Sequence, residues 1–330
     1  MNGNAVHLPR AVATVLLFVG LIAASPTTQA DASSWPTRTV RIITGPVGSS
    51  SDAVVRTLAE ALSPKWKQAI VVENRPGGDH ILAARAFLDA RDGHTLLFTT
   101  HSTLTVNPLL HERLPYDPVA DFAPITLAVE DFLCVVASPS LTVNSMSELV
   151  ELARAKPGTL NSYAVPGSPH LSWLAFQGHS GITTAFIAYT SPANVLIDLS
   201  EGRIHVALMP LAAVLGQARA GKVKLLAVTN TIRTPAAPDT PTFVEAGYPE
   251  FAFGGLLGLF GPKDMPPELR ERISADVRAA LAEPDIKQRL TNRGLVARGT
   301  TPAGFSVILD EQREKWSALA RAHGIKPKGQ

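Results

Sequence analysis

Short apolar runs alternate along the chain with longer segments whose apolar residues recur at helical spacing. Residues 40–43 are mostly β-branched and predict a buried strand, which a glycine and a proline end. The segment at 50–62 keeps its apolar residues on one helical face, and Ser49 and Asp52 are among its candidate N-caps. The pattern therefore predicts a strand, a small-residue loop and the N-terminus of a helix.

The loop between this strand and helix is a candidate anion-binding site. A helix N-terminus leaves backbone N–H groups unpaired and carries a partial positive charge, so a carboxylate or phosphate binds there without Lys or Arg. The candidate ligand-binding residues of the loop are Gly45, Val47, Gly48, Ser49, Ser50, Ser51 and Asp52. A tight, capped turn without a ligand has the same composition, and the loop alone does not decide between the two.

The alternation of strand and helix continues and predicts a mostly parallel sheet with helices on both faces. Further strands are expected at 69–72 and 95–98, with a helix at 81–88 between them. Ligands of such sheets bind outside the carboxyl ends of the strands. The candidate ligand-binding residues in the loop after the third strand are Thr100, His101 and Ser102.

A second unit of similar build follows a proline-rich passage at 114–124. Its strands are expected at 133–137, 161–165, 184–189, 204–208 and 223–229, and its first helix at 147–155. The loop at 166–170 is again rich in small residues and precedes an apolar helix.

The last segment is different, because helices dominate it. A strand is expected at 256–260, and helices at 268–282, 285–292 and 302–323. These helices need a sheet to cover, and the economical arrangement returns them to the first unit. The expected domains are a signal peptide at 1–32, a discontinuous first lobe at 33–130 and 255–330, and a second lobe at 131–254. This division predicts two α/β lobes, joined by two crossover segments around a cleft.

Composition narrows the class of protein. The 330 residues include 30 Lys and Arg against 28 Asp and Glu, so no excess positive charge indicates a nucleic-acid partner. An apolar run at 11–24 after Arg10, followed by small residues, is typical of a cleaved export signal, with an uncleaved membrane anchor as the alternative. Cys134 is the only cysteine and lies in an apolar run, which excludes an intramolecular disulfide and predicts a buried thiol.

Separate sequence blocks, in one order over essentially the whole mature chain, carry a resemblance to a known family. The blocks are residues 35–38, 72–77, 92–97, 107–108, 114–118, 121–124, 155–158, 227–229, 241–247 and 258–262. With these blocks the chain resembles the extracytoplasmic solute-binding proteins of tripartite tricarboxylate transport, also called the Bug family. The resemblance implies a type II periplasmic-binding-protein fold, a periplasmic location, a small organic acid as ligand and membrane transporter subunits as partners.

The resemblance also implies which loops hold the ligand. Members of the family hold a ligand carboxylate through backbone amides, hydroxyls and ordered water from two facing loops, with few charged side chains. The matching loops here are 44–52, 99–102, 165–170 and 189–192. These loops add the candidates Pro166, Gly167, Ser168, His170, Tyr189, Thr190 and Ser191. Met209, outside these loops, is a further candidate.

Several positions depart from the family's pattern. Gly45 and Val47 stand where an aromatic residue and a proline are expected, and Ser49 and Ser50 replace customary glycines, which adds hydroxyl donors. No acidic residue is present at Met209 and its neighbour, where one is common. An aspartate there would receive a ligand ammonium, so its absence weakens the case for an amino-acid ligand.

Catalysis and metal binding are the rival functions. No Gly-x-Ser-x-Gly nucleophile elbow is present, and the segment 45–51 lacks the lysine of a P-loop. The histidines lack the close spacing of helical metal sites. We therefore expect no enzyme activity, no cofactor and no metal.

The expected function is the capture of a small organic carboxylate by a monomeric periplasmic protein for a tripartite tricarboxylate-type transporter. A sensor that feeds a signalling partner is the alternative, and a secreted hydrolase is a remote one. If His101 and His170 face one another across the cleft, either would donate to the carboxylate, and protonation would make binding pH-sensitive. Trp173 is the tryptophan that would reach the ligand, unless it belongs to the core.

Overall fold

The computed structural model describes residues 1–3, 34–189 and 191–327. The predicted signal peptide at 1–32 therefore lies outside the described residues, apart from its first three. Within the described ranges, no helix is both long enough and apolar enough to cross a bilayer.

Strands and helices alternate over most of the described chain. The strands are β1 (Val40–Thr44), β2 (Ile70–Asn74), β3 (Thr95–Thr100), β4 (Phe122–Asp131), β5 (Leu133–Ala137), β6 (Asn161–Ala164), β7 (Ala185–Phe186), β8 (Val206–Pro210), β9 (Lys224–Val228), β10 (Gly255–Pro262) and β11 (Leu295–Ala297). The helices are α1 (Ser50–Trp66), α2 (Ile81–Ala90), α3 (Ser102–Thr105), α4 (Asn107–Leu110), α5 (Met146–Ala155), α6 (Ser168–Ser180), α7 (Pro192–Ser200), α8 (Leu211–Arg219), α9 (Pro267–Ala282), α10 (Pro284–Thr291) and α11 (Pro302–Ala322). Short 3-10 turns lie at Gly78–His80 and Pro249–Phe251.

Most predicted elements are confirmed, and the exceptions have local causes. β5 has the predicted bounds, whereas β7 covers only two residues of the predicted strand at 184–189. The sequence pattern does not predict α7, α8 or β11. No side-chain cap opens α7 or α8, and β11 is only three residues long, so the local signals are weak.

The first sheet has the strand order β11-β4-β10-β3-β1-β2. β1 pairs in parallel with β2 and β3, but β10 is antiparallel to β3 and β4, and β11 is antiparallel to β4. The expectation of a mostly parallel sheet is therefore wrong. The chain leaves this sheet at the end of β4 and returns at the start of β10 on the same edge, so these two strands must run in opposite directions.

The second sheet has the order β7-β6-β8-β5-β9. β6 is parallel to β7 and β8, while β5 is antiparallel to β8 and β9. Leu133, where β5 begins, pairs with Pro210, where β8 ends. The carboxyl ends of β6 and β8 therefore lie at the edge where the chain enters from the first sheet.

Helices cover both faces of each sheet, as expected. Ile273 of α9 and Phe305 of α11 belong to apolar clusters on the first sheet. Phe176 of α6 and Val195 of α7 belong to the clusters that include the second sheet. Burial of each such side chain contributes about 1.5–3 kcal/mol, so each lobe has a core of its own.

Helix α11 belongs to both lobes. Phe305 and Leu309 pack in a cluster with the first sheet, whereas Trp316 and Ala320 pack in a cluster with the second. The Nε1 of Trp316 donates to Gln312 Oε1 at 3.1 Å. The apolar face of this one helix therefore contacts both lobes.

Two crossover segments connect the sheets, and Asn230 links them. Its Nδ2 donates to Glu130 Oε1 at 3.1 Å, and its Oδ1 accepts from the Leu133 amide at 3.3 Å. The Phe253 amide donates to the Thr229 carbonyl at 2.7 Å beside it. The architecture is thus two α/β lobes, and the division into 33–130 with 255–330 and 131–254 stays a prediction.

Two core assignments from the sequence are confirmed. Cys134 is fully buried in β5, and burial raises the pKa of its thiol. Trp173 is 1% exposed, and its Nε1 donates to Ser162 Oγ at 3.3 Å. The alternative in which Trp173 reaches the ligand is therefore wrong.

Candidate ligand-binding site

A cleft of about 420 Å³ opens where the two lobes meet. Both lobes line it, mostly with small and apolar residues. The lining residues are Pro46, Gly48, Ser49, Ser50, Ala53, Gly77, Gly78, Asp79, His80, Tyr163, Val165, Pro166, Tyr189, Met209, Pro210, Ala212, Ala213, Arg293 and Leu295. A second concavity of about 540 Å³ lies at the other end of β3, with side chains of both charges such as Arg85, Asp89 and Lys263, and contains none of the predicted site residues.

The loop between β1 and α1 lies on the cleft, and its backbone N–H groups are only partly paired. Ser49 is the N-cap of α1, and its Oγ accepts from the Asp52 amide at 3.3 Å. The Gly48 amide donates to Asp52 Oδ2 at 3.0 Å, and the Ser49 amide donates to a loop carbonyl at 3.2 Å. No described residue accepts from the amides of Ser50 and Ser51. These two amides are the donors left for an anion.

Asp52 holds this loop and is not part of the cleft wall. It is 4% exposed and accepts from Arg56 Nε at 3.0 Å and Asn74 Nδ2 at 2.8 Å, as well as from the Gly48 amide. Burial raises the pKa of Asp52, but the hydrogen bonds from Arg56, Gly48 and Asn74 outweigh burial and lower it below its ordinary value. The negative charge of the Asp52 carboxylate is therefore stabilised by these hydrogen bonds.

Three other predicted residues of the loop lie beside the cleft and not on its surface. Val47 is 70% exposed at the tip of the loop, and Ser51 is buried with its Oγ 2.9 Å from that of Ser49. Gly45 is covered by the ring of His80, since a Cβ on Gly45 would lie 2.6 Å from His80 Cε1. Glycine at 45 thus makes room for an imidazole.

A buried carboxyl group lies next to the N-terminus of α1. Asp131, at the end of β4, is 3% exposed and accepts a hydrogen bond from the Ser50 hydroxyl. Its Oδ1 has no hydrogen-bond partner among the described residues. Burial raises the pKa of Asp131 to about 7, and the hydrogen bond from Ser50 offsets only part of this. Asp131 therefore changes charge near neutral pH beside a loop suited to anions.

The segment 77–80 forms an elbow on the cleft that the sequence analysis does not identify. Two glycines, Asp79 and His80 have φ angles of 106°, 55°, 52° and 68°, so four successive residues have positive φ. For a residue with a side chain this conformation costs about 1–3 kcal/mol. Asp79 Oδ2 is 2.6 Å from His111 Nε2, and Asp79 O accepts from Asn107 Nδ2 at 2.9 Å. These contacts hold the elbow in place.

The second lobe contributes two tyrosines to the wall. Tyr163 and Tyr189 pack edge to face with ring centroids 5.8 Å apart. Burial and the hydrogen bond donated to Asp198 raise the pKa of Tyr189 to about 12, and burial raises that of Tyr163 to about 12. No described residue hydrogen-bonds to the Tyr163 hydroxyl. Both phenols therefore stay protonated, and that of Tyr163 is available to a ligand.

Two predicted ligand loops, at 100–102 and 166–168, meet each other directly. Ser102 Oγ donates to Ser168 Oγ at 3.0 Å and accepts from the Ser168 amide at 3.0 Å, and all these atoms are buried. Thr100 Oγ1 accepts from the Ser102 amide at 3.3 Å. Gly167 has φ 92°, and a Cβ there would lie 2.7 Å from Ser102 Cβ. The prediction that both loops line the cleft needs correction, because they fill the space between the lobes and only Pro166 reaches the cleft surface.

The structure places His101 and His170 away from the cleft wall. His101 is fully buried, its ring stacks on Trp316 at 6.3 Å, and burial with the nearby charge of Lys315 lowers its pKa to about 3. His170 stacks on Phe186 at 4.4 Å. The hypothesis that these two histidines face one another across the cleft and make binding pH-sensitive is therefore wrong.

The last two candidates follow Tyr189. Thr190 lies outside the described residues. Ser191 is at the N-cap position of α7 but makes no side-chain capping bond, and it does not line the cleft. Of the second-lobe candidates, Pro166, Tyr189 and Met209 are on the cleft surface.

Arg293 is a cleft residue that the sequence analysis does not single out. Gly294 separates it from β11, whose Leu295 pairs with Asp131 at the cleft edge of the first sheet. Its side chain is exposed, and no described carboxylate pairs with it. Without a prediction of β11, nothing in the sequence places this arginine near the loop of α1.

The wall offers mainly uncharged hydrogen-bond donors. Asp79 and Arg293 are the lining residues with full charges, and Asp79 faces His111. Among the residues that the structure describes, no three His, Cys, Asp or Glu side chains are grouped so as to hold a metal ion. Amides at Ser50 and Ser51 and the Tyr163 hydroxyl suit a carboxylate.

Comparisons with known proteins show which family and which solved structures the chain is similar to. The family described as "Tripartite tricarboxylate transporter family receptor" matches residues 54–325. The chain is similar to BugT of Bordetella pertussis, with 27% identity over 329 residues, which is 98% of this chain and 100% of that protein. It is similar to the solved structure of R. palustris Rpa4515 with adipate, with 29% identity, a TM-score of 0.84 and coverage of 89% of this chain and 100% of that one. It is also similar to MatC from Rhodopseudomonas palustris with bound malate, with 26% identity, a TM-score of 0.81 and coverage of 86% and 99%.

Proposed function

Because the chain belongs to the tripartite tricarboxylate transporter receptor family, we propose that it captures a small organic carboxylate between its lobes and delivers it to a membrane transporter. The observation that carries this proposal is the N-terminus of a 17-residue helix at the interlobe cleft, where no described residue accepts from the amide of Ser50 on the cleft wall or from that of buried Ser51 next to it. A helix N-terminus stabilises an anion through its amides and dipole, without a formal positive charge.

The chemistry of related proteins supports the same class of ligand. Two similar structures contain adipate and malate, both carboxylates of a size that suits a cleft of about 420 Å³. We infer that one carboxylate of the ligand sits at α1, and that the apolar wall of Val165, Pro166 and Met209 covers the carbon chain.

The receiving partner and location are part of the proposal. The similarity to transporter receptors favours membrane subunits of a tripartite carrier over a sensor, and the export signal predicted at 1–32 supports a periplasmic location. A role without catalysis is supported by the receptor family to which the chain belongs.

A thermal-shift screen followed by ligand recovery tests this function. Succinate, malate, adipate, citrate and benzoate would each be added to the protein from which residues 1–32 are removed. A ligand at a hundred times its Kd adds about 2.7 kcal/mol to the free energy of unfolding, which is a clear shift in Tm. Recovery of the bound acid unchanged supports a binding protein. A lack of any shift contradicts carboxylate capture, and recovery of a converted product indicates an enzyme.

A further inference from the structure

The cleft contains an imidazole that makes no hydrogen bond with any described residue. His80 lines the cleft at the start of α2, and its Nδ1 is buried without a partner. Its Nε2 is not enclosed in this way, and it too has no partner among the described residues. A half-buried polar ring with both nitrogens unpaired is unusual in a folded protein, because buried polar groups are normally hydrogen-bonded.

The backbone holds this ring in place at a cost. Asp79 and His80 have φ angles of 52° and 68°, a region that side chains other than that of glycine disfavour. Asn107, itself fully buried, fixes the Asp79 carbonyl, and His111 contacts the Asp79 carboxylate. Such strain persists where the surrounding contacts over-determine it, and it is concentrated at functional sites.

The imidazole of His80 also packs against the loop between β1 and α1. A Cβ at Gly45 would lie 2.6 Å from His80 Cε1 and 2.8 Å from Nδ1, so the imidazole occupies the room that a side chain at 45 would need. Gly45 opens the loop that leads to Ser50. The ring therefore borders the same loop whose amides are free for an anion.

The surroundings select one tautomer of the ring. Burial lowers the pKa of His80 more than the negative charge of Asp79 raises it, so the ring is neutral at pH 7. Protonation of Nδ1 would enclose an unpaired N–H donor, whereas protonation of Nε2 encloses only an acceptor lone pair. Orphaned buried N–H groups are the rarer of the two, so Nε2 carries the proton.

We propose that His80 contacts the ligand, and that its Nε2–H donates a hydrogen bond to the carboxylate bound at the N-terminus of α1. This inference rests on the proposed function. His80 adds an uncharged donor from the elbow to the amides of Ser50 and Ser51. It makes the first lobe a three-donor receptor for one carboxylate, with the donors on two different loops.

A pair of glycine substitutions tests the contact. His80→Gly removes the imidazole at a residue with φ 68°, and Lys67→Gly makes the same backbone change at φ 53° in the C-cap of α1, away from the cleft. Glycine adopts both angles freely, so we expect apo melting temperatures equal to or above that of the unmodified protein for both variants. Affinities for succinate, malate and adipate are measured by isothermal titration calorimetry.

We expect His80→Gly to weaken the tightest of these probes roughly 10- to 100-fold, the range for loss of a hydrogen bond to a charged group, and Lys67→Gly to leave it unchanged. In the unmodified protein, ¹⁵N spectra of the imidazoles distinguish a ligand contact from a purely structural role. We expect addition of the probe to shift the Nε2–H signal of His80, while Nδ1 stays without a proton. Equal affinity in His80→Gly, or an Nε2 signal that does not respond to a bound probe, overturns the inference and leaves the proposed function intact. A failure of the unmodified protein to bind any of the probes contradicts the proposed function instead.

Discussion

Individual residues around the cleft divide into those that hold the backbone and those left to bind. The Gly48 amide donates a hydrogen bond to the Asp52 carboxylate, so these two groups hold the loop of α1 and are not available to a ligand. Beside them, the amides of Ser50 and Ser51 have no acceptor in the part of the chain that the structure describes. Because an unpaired amide near a helix N-terminus attracts negative charge, the selectivity of the cleft follows from which bonds the loop makes internally.

The charge of Asp131 makes stability depend on pH. Its pKa is about 7 in the folded protein against an ordinary 3.8, so the folded state keeps a proton that the unfolded state releases above pH 4. Wild-type stability therefore falls as the pH rises from about 4 to about 7, by on the order of 4 kcal/mol in all, and changes little above that range. Asp131→Asn keeps a neutral group at this site, and we expect its gain in stability over wild type to be larger at pH 8 than at pH 5, by roughly 2–3 kcal/mol.

Urea unfolding at pH 5 and pH 8 measures this difference. Asp264→Asn, at an exposed aspartate, is the matched control and should change the free energy of unfolding equally at both values. Parallel pH profiles for wild type and Asp131→Asn would show that the carboxyl group is already ionised or solvated in the folded protein.

Arg293 gives the cleft wall a cation for a second carboxylate of the ligand. Its guanidinium is exposed and unpaired among the described residues, so a second carboxylate in the cleft has a partner there. We expect Arg293→Ala to lower the affinity for adipate by roughly 3- to 10-fold at low salt, and by less at high salt, since screening weakens an exposed pair. Titration calorimetry at two salt concentrations checks this, with Arg321→Ala on α11 as the control. An affinity independent of Arg293 would place the second carboxylate elsewhere.

The sequence predicts the loop of α1 but not the other residues around it. Gly48, Ser49 and Ser50 follow a strand and precede a helix, which is a local pattern. His80 enters the cleft because two non-glycine residues adopt positive φ, and tertiary contacts from Asn107 and His111 impose that conformation. A sequence shows no sign of such strain, and it shows none of the distant pairing that brings Arg293 to the cleft.

At the scale of elements, the sequence predicts where most strands and helices lie better than it predicts whether neighbouring strands are parallel or antiparallel. β1, β5 and α1 follow from local runs and caps, whereas the antiparallel course of β10 depends on where the chain re-enters the first sheet. His101 shows the same limit. Its position after β3 is at the predicted edge, but its ring packs on Trp316 of α11, which is far away in the chain.

The junction of the loops at 100–102 and 166–168 gives a prediction about element packing. Gly167 has φ 92° and faces Ser102 at a distance that leaves no room for a Cβ, whereas Gly158 has φ 72° and open space around it. Gly158→Ala therefore carries only the backbone strain, while Gly167→Ala adds a clash between the lobes. We expect Gly167→Ala to cost about 1–3 kcal/mol more than Gly158→Ala in urea unfolding. Equal costs would mean that the lobes separate freely at this contact.

At the scale of the whole molecule, the fold brings uncharged donors to a place where two lobes meet. The lobes are joined by the crossovers at Asp131 and Phe253, the link through Asn230 and the shared helix α11. The ends of β1, β6 and β8 therefore present their loops to one cleft. This convergence, rather than any single side chain, makes the cleft a receptor.

The most direct test is a crystal structure of the protein grown with adipate or malate at a concentration well above the measured Kd. The account predicts one carboxylate within hydrogen-bond distance of the amide nitrogens of Ser50 and Ser51, with the carbon chain against Pro166 and Met209. An acid bound outside the cleft, or one whose carboxylates both point away from the N-terminus of α1, would contradict it.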